Sequence, residues 1–445
     1  MAEKKDTLRR SNNTTRSSRT SAYFIGFMGI FIKSYRAREI LDIIETADLI
    51  KIKQVLEDAS KATKITEICD KTRKSVLHVA VQYREYEIVE YLVKTHPFSE
   101  VLSEERFNDL IFLCLNNIGE KDDVEFDDSC KIIRFLLKIR PELIESKNSE
   151  SQQTPLHIAA TQVFTNGKQI EVIKMFLENN ANVNAEDSQG KAPLHNIVRV
   201  DPLPLNLMEI VKLLIEHGAD PYSADFKGLT FLHHAGFMSM TPTIFHELVE
   251  YLISIEKTKS FSMVASSGWT VLFYAVANIE LLPETLKLLK AHGTDFNHSY
   301  NGMSALFQAI SGGRSDALIN QLIGLGADCR TVGMRGNALH HAVLFRHLSA
   351  LKMLMNAGCD VNAQSLVGHT PLHILFLSKG TSADDDHEMV CQLIRHGANV
   401  SIKNKVGDLP IDIAKGLVER GRLGQRTVKL LETVSPTGSV QITQF

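Results

Sequence analysis

The sequence predicts an all-α fold, a stack of helix-turn-helix units joined by short hairpin loops. Three observations predict it. A short signature ending in Leu-His recurs as Thr154-Pro155-Leu156-His157, Ala192-Pro193-Leu194-His195, Thr230-Phe231-Leu232-His233, Ala338-Leu339-His340 and Thr370-Pro371-Leu372-His373, with a degenerate early copy at Ser75-Val76-Leu77-His78. A second signature recurs in the same phase at His217-Gly218-Ala219-Asp220, His292-Gly293-Thr294-Asp295, Leu325-Gly326-Ala327-Asp328, Ala357-Gly358-Cys359-Asp360 and His396-Gly397-Ala398-Asn399. The spacing is nearly constant, with 33 residues from Gly293 to Gly326 and 32 from Gly326 to Gly358.

Each element of the unit has a physical reason. Thr-Pro opens the first helix, because the hydroxyl can cap free backbone N–H groups and Pro is tolerated at the first helical position. Leu156, Ala159 and Ala160 give a helix slim enough to pack closely on its neighbours. The second helix carries apolar residues at helical spacing, as at Ile210, Val211, Leu213 and Leu214. Gly218 stands where that helix must stop in a left-handed conformation. Neither helix can bury its apolar stripe alone, so each unit must stack on the next.

A period near 33 with both halves in the same order resembles the ankyrin repeat. The resemblance covers residues 36–434 and implies an ankyrin-repeat solenoid of about eleven helix-turn-helix repeats. It implies a non-catalytic scaffold or adaptor that holds protein partners by a preorganised surface, which loses little entropy on binding. In that family the concave face comes from hairpin tips and first helices, which here selects Gln152, Gln153, Gln189, Lys191, Lys227, Trp269, Met303, Arg335 and His369. The resemblance makes His78, His157, His195, His233, His340 and His373 structural, each imidazole bonding backbone groups between hairpins. It also makes Asn362, in the context Leu354-x5-Asp360-Val361-Asn362, a candidate for asparaginyl hydroxylation, with local turn stabilisation as the plain alternative.

In chain order, residues 1–35 read as a basic, disordered arm followed by an apolar segment. The apolar run Tyr23–Ile32 spans only ten residues, too short to cross a membrane. It reads as a helix capping the stack, with a membrane-touching anchor or a targeting peptide as alternatives. A first, capping repeat occupies 37–59, with Leu49, Ile52, Val55 and Leu56 on one face. A second spans 70–102. A third, 103–148, keeps only the second-helix pattern Ile132, Ile133, Leu136 and Leu137. Later repeats begin near Ser149, Asp187, Asp225, Ser266, Tyr300, Val332, Ser365 and Asn404, the last ending near Val434. Residues 435–445 form a flexible tail whose Thr443-Gln444-Phe445 fits a PDZ-binding terminus.

The repeats are unequal in length, and the excess falls at one phase. The gap from His340 to Gly358 is 18 residues, the regular value, but His195 to Gly218 is 23 and His373 to Gly397 is 24. The extra residues fall between the two helices, at Thr161–Gln169, Arg199–Asn206, Phe237–Thr243 and Ser378–His387, with a longer acidic loop expected at Glu120–Asp128. Insertions at one phase of a stack project from one side. Leu203, Leu205, Phe237, Met238 and Met240 make this edge a second candidate contact surface. Long interhelix loops are also similar to those of the Fem family of ubiquitin-ligase substrate receptors. That likeness implies the alternative of a cullin-type ligase receptor; a relative of an ankyrin-bearing channel or enzyme without its catalytic part is another.

Composition narrows the remaining classes. A net charge of −3 on 445 residues points away from nucleic acid. The six Cys show no paired metal-ligand spacing and read as reduced core thiols of a cytoplasmic protein, with a nuclear site also open. Adjacent His233-His234 and His340-His341 point to different faces of a helix and cannot share one metal. No phosphate loop or nucleophile elbow is legible, so no catalytic residue, cofactor or metal is assigned.

Overall fold

The computed structural model describes residues 75–95, 102–116, 123–162, 167–238, 240–333, 336–378, 383–420 and 423–434, together with positions 50, 54 and 118. The basic arm, Tyr23–Ile32, the first repeat apart from positions 50 and 54, and the C-terminal tail lie outside the described residues. The described residues form two compact units, 1–218 and 219–445. Both are built from helix pairs, and the all-α repeat architecture read from the sequence is the one observed.

The first unit contains α1 (Val76–Gln82) and α2 (Tyr86–Thr95), α3 (Glu104–Leu115) and α4 (Asp123–Ile139), α5 (Pro155–Thr161) and α6 (Gln169–Glu178), then α7 (Pro193–Ile197) and α8 (Leu207–Glu216). The second contains α9 (Phe231–Phe237) and α10 (Pro242–Ser254), α11 (Val271–Asn278) and α12 (Pro283–Ala291), α13 (Ala305–Ser311) and α14 (Asp316–Gly324). It continues with α15 (Ala338–Leu344) and α16 (Leu348–Asn356), α17 (Pro371–Leu377) and α18 (Ala383–Arg395), and α19 (Pro410–Glu419) and α20 (Gln425–Thr433). Within each unit first helices pack on first helices, as α5 on α7 and α15 on α17, and second helices on second helices, as α6 on α8 and α14 on α16. Large rings fill the seams: Phe107, Phe126 and Phe176 in the first unit and Phe231, Phe245, Phe307 and Phe376 in the second are fully buried. This is the stacking that the paired apolar stripes demand.

The first signature builds a cap and a bridge at once. Thr230 and Thr370 hydroxyls accept from the backbone N–H of His233 and His373 at 3.5 and 3.4 Å, and Asn337 does the same for Leu339 and His340. The imidazole Nδ1 accepts the backbone N–H of the capping residue, at 3.2 Å for Thr154–His157 and 3.1 Å for Asn337–His340. Nδ1 is therefore an acceptor, and the proton sits on Nε2. That Nε2–H donates to a carbonyl of the following repeat: His157 to Lys191 (2.8 Å), His340 to His369 (2.8 Å) and His373 to Asp408 (3.1 Å) in hairpins, and His78 to Arg106 (2.8 Å) in the first turn of α3. In His233 the ring faces the Met263 and Trp269 backbone, but its Nε2 lacks hydrogen-bond geometry. The structural role that the resemblance implied is seen as a bridge at His78, His157, His340 and His373.

The second signature ends the second helix. Gly218, Gly293, Gly326, Gly358 and Gly397 all have φ between 79° and 92°, the left-handed stop expected of that position. Where the signature is missing, after α4 and α10, short 3-10 turns at Pro141–Glu145 and Thr258–Ser262 close the repeat instead. One hairpin is a true β-ribbon, β1 (Ser299–Tyr300) pairing β2 (Met303–Ser304), turned by Asn301 and Gly302 at φ 52° and 75°. Two left-handed residues in succession are what a two-residue hairpin turn requires.

Two expectations are corrected. The acidic stretch expected as a loop at Glu120–Asp128 is, from Asp123 onward, the opening of the 17-residue helix α4. The helix dipole favours carboxylates at an N-terminus, so acidic residues there extend a helix rather than break it. Cys329 and Cys359, read as reduced thiols, are joined as a disulfide with Cα atoms 5.7 Å apart. They lie 30 residues apart, nearly one repeat, so stacking brings their turns together. Cys114 and Cys130 are free and buried, and burial pushes the Cys130 thiol up to about 11.

The bridging histidines make stability depend on pH. Burial holds His233 and His340 down to about 4, against the usual 6.5, and lowers His157 and His373 in the same direction. Between about pH 6.5 and 4 the unfolded chain binds protons that the folded chain refuses, so stability rises with pH across that window and is lost as pH falls. Acidifying from pH 7 to 5 is expected to cost on the order of 1–2 kcal/mol at each of His233 and His340. Asp225, held below the usual carboxylate range although burial opposes it, adds its loss only below about pH 4. Helical melting followed by circular dichroism at pH 7, 6 and 5 tests this, and an unchanged melting temperature would contradict it.

Candidate partner-binding surface

In the unit 219–445 several neighbouring hairpin tips touch. Ser266 N–H donates to the Lys227 carbonyl at 3.0 Å, His298 Nε2–H to Gly268 O at 2.8 Å, and Lys405 N–H to Val367 O at 3.1 Å. The contacts leave no room for side chains at the glycines: a Cβ on Gly268 would fall 2.2 Å from the Tyr300 ring, and one on Gly333 2.7 Å from Gly302 backbone. Along this row Phe226, Tyr300, Val332, Leu366, Val367 and Val406 are exposed, Phe226 at 72% and Val406 at 83%. One turn beyond the signature histidines, Phe237, Leu344 and Leu377 are also exposed at the ends of α9, α15 and α17. Singly such residues are ordinary, but recurrence at one phase of a repeat concentrates them on one face.

In two repeats that lack the signature histidine an aromatic ring takes its place. Phe273 takes that position in α11, where Trp269 stacks on it at 3.8 Å between centroids and 11° between planes. Tyr300 meets Trp269 edge-on at 5.4 Å, and Phe237 meets Tyr274 edge-on at 6.0 Å. Further along, a recess of about 220 Å³ lies among His341, Leu344, Val367, His369 and Ile374. His369 stacks on His373 at 5.8 Å, and burial lowers its pKa, so its ring is neutral at pH 7. Lys227, Lys403 and Lys405 are exposed beside the apolar tips, while Asp225 is buried in its own hairpin against His234 at 3.0 Å.

The residues selected from the sequence divide into several groups. Gln152, Gln189 and Lys227 are exposed tip residues, Gln152 in a left-handed conformation at φ 56°. Gln153, Met303 and His369 are half-buried; Gln153 accepts and donates across its own turn to Asn148, and Met303 pairs with Tyr300 in the ribbon. Trp269 is half-buried with one face covered by Phe273, so it belongs to a cluster and is not a lone anchor. Arg335 lies outside the described residues. Lys191 corrects the reading: it is only 6% exposed, because its carbonyl serves His157 and its ammonium bonds Gln189. In the first unit the tips are polar. The apolar tip residues Phe226, Leu366 and Val406 were not selected from the sequence, although an apolar side chain one or two residues before a turn Gly was a signal available there.

The interhelix edge is more ordered than expected. Leu205 is exposed and Leu203 half-buried, whereas Met240 is buried and Phe237 belongs to α9 rather than to a loop. The stretch Ser378–His387, read as a loop, becomes helix α18 at Ala383, placing Asp384, Asp385 and Asp386 in its first turn. Arg346, left-handed at φ 58°, follows α15 and donates to the Leu375 and Ser378 carbonyls at 3.0 and 3.4 Å. It thereby caps α17 of the next repeat. Arg84, at φ 60°, reaches Asn116 O at the end of α3 from the same phase. Arg346 Nε also lies 3.2 Å from Asp386 Oδ1, an ion pair of two buried side chains without hydrogen-bond alignment. Burial pushes each partner toward its neutral form despite the other's charge. Asp386→Ala should therefore destabilise by about 3 kcal/mol, by leaving a buried guanidinium uncompensated, and Arg346→Met/Asp386→Leu should cost less than Asp386→Ala alone. Urea melts of the three proteins check this; a double variant worse than the single one would contradict it.

Asn362 spans two repeats: its Nδ2–H donates to Gly397 O at 3.0 Å and its Oδ1 accepts Asn399 N–H at 2.7 Å. Asn184 donates to Gly218 O at 2.8 Å in the same way. The amide ties neighbouring turns together, beyond the local turn bond expected of it.

Comparison with known families agrees with this geometry. The family model described as ankyrin repeats (3 copies) matches at 124–225, 164–259, 205–299, 272–365 and 314–404, more than half of the chain. The mouse B-cell lymphoma 3 protein homolog is 31% identical over 119 residues, covering 26% of this chain and 25% of that protein. Mouse protein phosphatase 1 regulatory subunit 27 is 37% identical over 86 residues, covering 18% of this chain and 52% of that protein. The chain thus spans between a quarter and about half the length of these relatives. The crystal structure of the human ASB11 ankyrin repeat domain aligns with a TM-score of 0.42 and 17% identity, covering 54% of this chain and 98% of that one.

Proposed function

Since the chain belongs to the ankyrin-repeat family, we propose that it is a non-catalytic scaffold or adaptor that holds protein partners on the tips and first helices of residues 219–445. The carrying observation is the set of exposed apolar tip residues between Phe226 and Val406, with backbone bonds between tips at Ser266–Lys227 and Lys405–Val367. A rigid row of this kind loses little entropy on docking, so each contact contributes nearly its full worth. Similarity to a regulatory subunit of a phosphatase supports a role exerted through another protein. The interhelix edge, with exposed Leu205, is a secondary contact surface in this reading, and the cytoplasm is its compartment. The C-terminal residues would add a PDZ contact of their own.

Proximity labelling of the full chain identifies the partners, and two variants sort them. Phe226→Ser/Leu366→Ser should weaken most partners by at least about tenfold while leaving the helical spectrum unchanged, because both side chains are exposed. Shortening Arg199–Asn206 should affect fewer. A cullin among the labelled proteins would favour the ligase-receptor reading. Partners retained at full affinity by both variants would place recognition elsewhere.

A further inference from the structure

Two ties recur between stacked repeats. One is the imidazole bridge. The other is an Asn amide four residues after the left-handed stop of the second helix. Asn184 Nδ2–H donates to Gly218 O at 2.8 Å, Asn297 Oδ1 accepts Asp328 N–H at 2.7 Å, and Asn362 meets both Gly397 O and Asn399 N–H. The junction between the repeat of α13 and α14 and the repeat of α15 and α16 has neither tie. Phe307 holds the histidine position of α13, and Arg330 stands four residues after Gly326, where Asn is found in the others. Arg330 N–H donates to Asp328 of its own turn at 2.8 Å, and among the described residues its side chain makes no hydrogen bond to the next turn. What remains is helix packing, with Phe307 against His341 at 4.8 Å and His347 Nε2 3.3 Å from the Arg314 carbonyl.

At this junction the two turns carry Cys329 and Cys359, with Cα atoms 5.7 Å apart. Equivalent turn positions on either side hold Phe296 with Ala327 and Val361 with Ala398, all buried. Stacking therefore needs no sulfur at this place, and what two Cys add is a bond that can be made and broken. Both are buried, yet Arg330, Gly358 and Asp360 beside them are exposed, so a small opening of the turn admits a reagent. The reduced pair is accommodated as well, because Cys359 Sγ lies 3.0 Å from the Cys329 carbonyl oxygen, an acceptor for its S–H. In the compartment proposed above disulfides are rare, and those that form are mostly transient.

We infer that Cys329 and Cys359 form a reversible redox site, a dithiol–disulfide pair that ties this junction when oxidised and releases it when reduced. The oxidant is a small disulfide of the glutathione class. One cysteine thiolate attacks it, forming a mixed disulfide and expelling a thiolate. The second Sγ then attacks the protein sulfur of that bond, closing Cys329–Cys359 and expelling a second thiolate. The two protons lost by the cysteines go to the two released thiols, so one small disulfide is reduced for each pair oxidised. Reduced thiol drives the same steps backwards. The site needs no partner and stands apart from the adaptor reading.

Equilibrating the native full chain in mixtures of reduced and oxidised glutathione tests it. Thiols are trapped with N-ethylmaleimide during denaturation, and the digest is read by mass spectrometry. The linked Cys329–Cys359 peptide should appear as the oxidised share rises and vanish when reduced glutathione is restored. Cys114 and Cys130 should be alkylated at every ratio. The oxidised chain should melt about 5 °C or more above the reduced one, because the bond constrains the unfolded chain. Cys329→Val/Cys359→Ala, which copies the Val361 and Ala398 pair, should remove that difference while keeping the helical spectrum. Two alkylated cysteines at every ratio would overturn the inference. So would a linked peptide that yields to reduced glutathione only after unfolding, or a melting difference that persists in the double variant. If the double variant does not fold, trapping on the parent chain decides alone.

Discussion

Each repeat that carries the Leu-His signature depends on one neutral imidazole. Its Nδ1 accepts the N–H at the start of its own helix, and its Nε2–H is held by a carbonyl of the next hairpin, as in His157 to Lys191 and His340 to His369. The same ring thus ends one helix and fixes the position of the next repeat. Neither bond survives protonation unchanged, because a second ring proton would face an N–H that already points at Nδ1. Burial removes that option by holding the rings neutral. The bridge is local in sequence on one side and about one repeat away on the other, which is how a chain with only nearest-neighbour contacts keeps its register.

Where the bridge is absent the structure shows what replaces it, and the replacement changes the surface. Phe273 and Phe307 stand at the histidine position of α11 and α13. Phe307 is buried against His341 at 4.8 Å, while Phe273 is half-buried and carries Trp269 on its face. A hydrogen bond that joins hairpins becomes ring stacking, which joins them but leaves aromatic edge at the surface. The proposed contact face is thus in part a by-product of how two repeats solve their own stacking problem.

Periodicity made the fold legible in the sequence, because each helix pair repeats the same cap, stripe and stop at a spacing of about 33 residues. Side-chain direction within a hairpin was less legible. Lys191 and Gln189 are two residues apart on one tip, yet one is buried and the other exposed, since the carbonyl of Lys191 has to meet His157. Acidic runs at Asp123–Asp128 and Asp384–Asp386 read as loops because charge suggests solvent, while the dipole at a helix start welcomes the same residues. Arg84 and Arg346 were not singled out, because capping a neighbour's helix end from a left-handed position leaves no composition signal. Cys329 and Cys359 carried one, a separation close to the repeat length, which gains meaning only once adjacent turns are known to stack.

The two sets of tips then differ for a reason that is physical rather than ornamental. Every hairpin in the array meets the same internal demands, a turn Gly, a carbonyl for the imidazole and an N–H for its neighbour. The outermost side chain of each tip is free of them. In residues 1–218 the exposed tip side chains include Gln152 and Gln189, and in 219–445 they include Phe226, Leu366 and Val406. Stability gains little from an apolar group left 58–83% exposed, and water is the poorer neighbour for it. Exposed apolar side chains that the fold does not require are the ones that the proposed partner surface of 219–445 would cover.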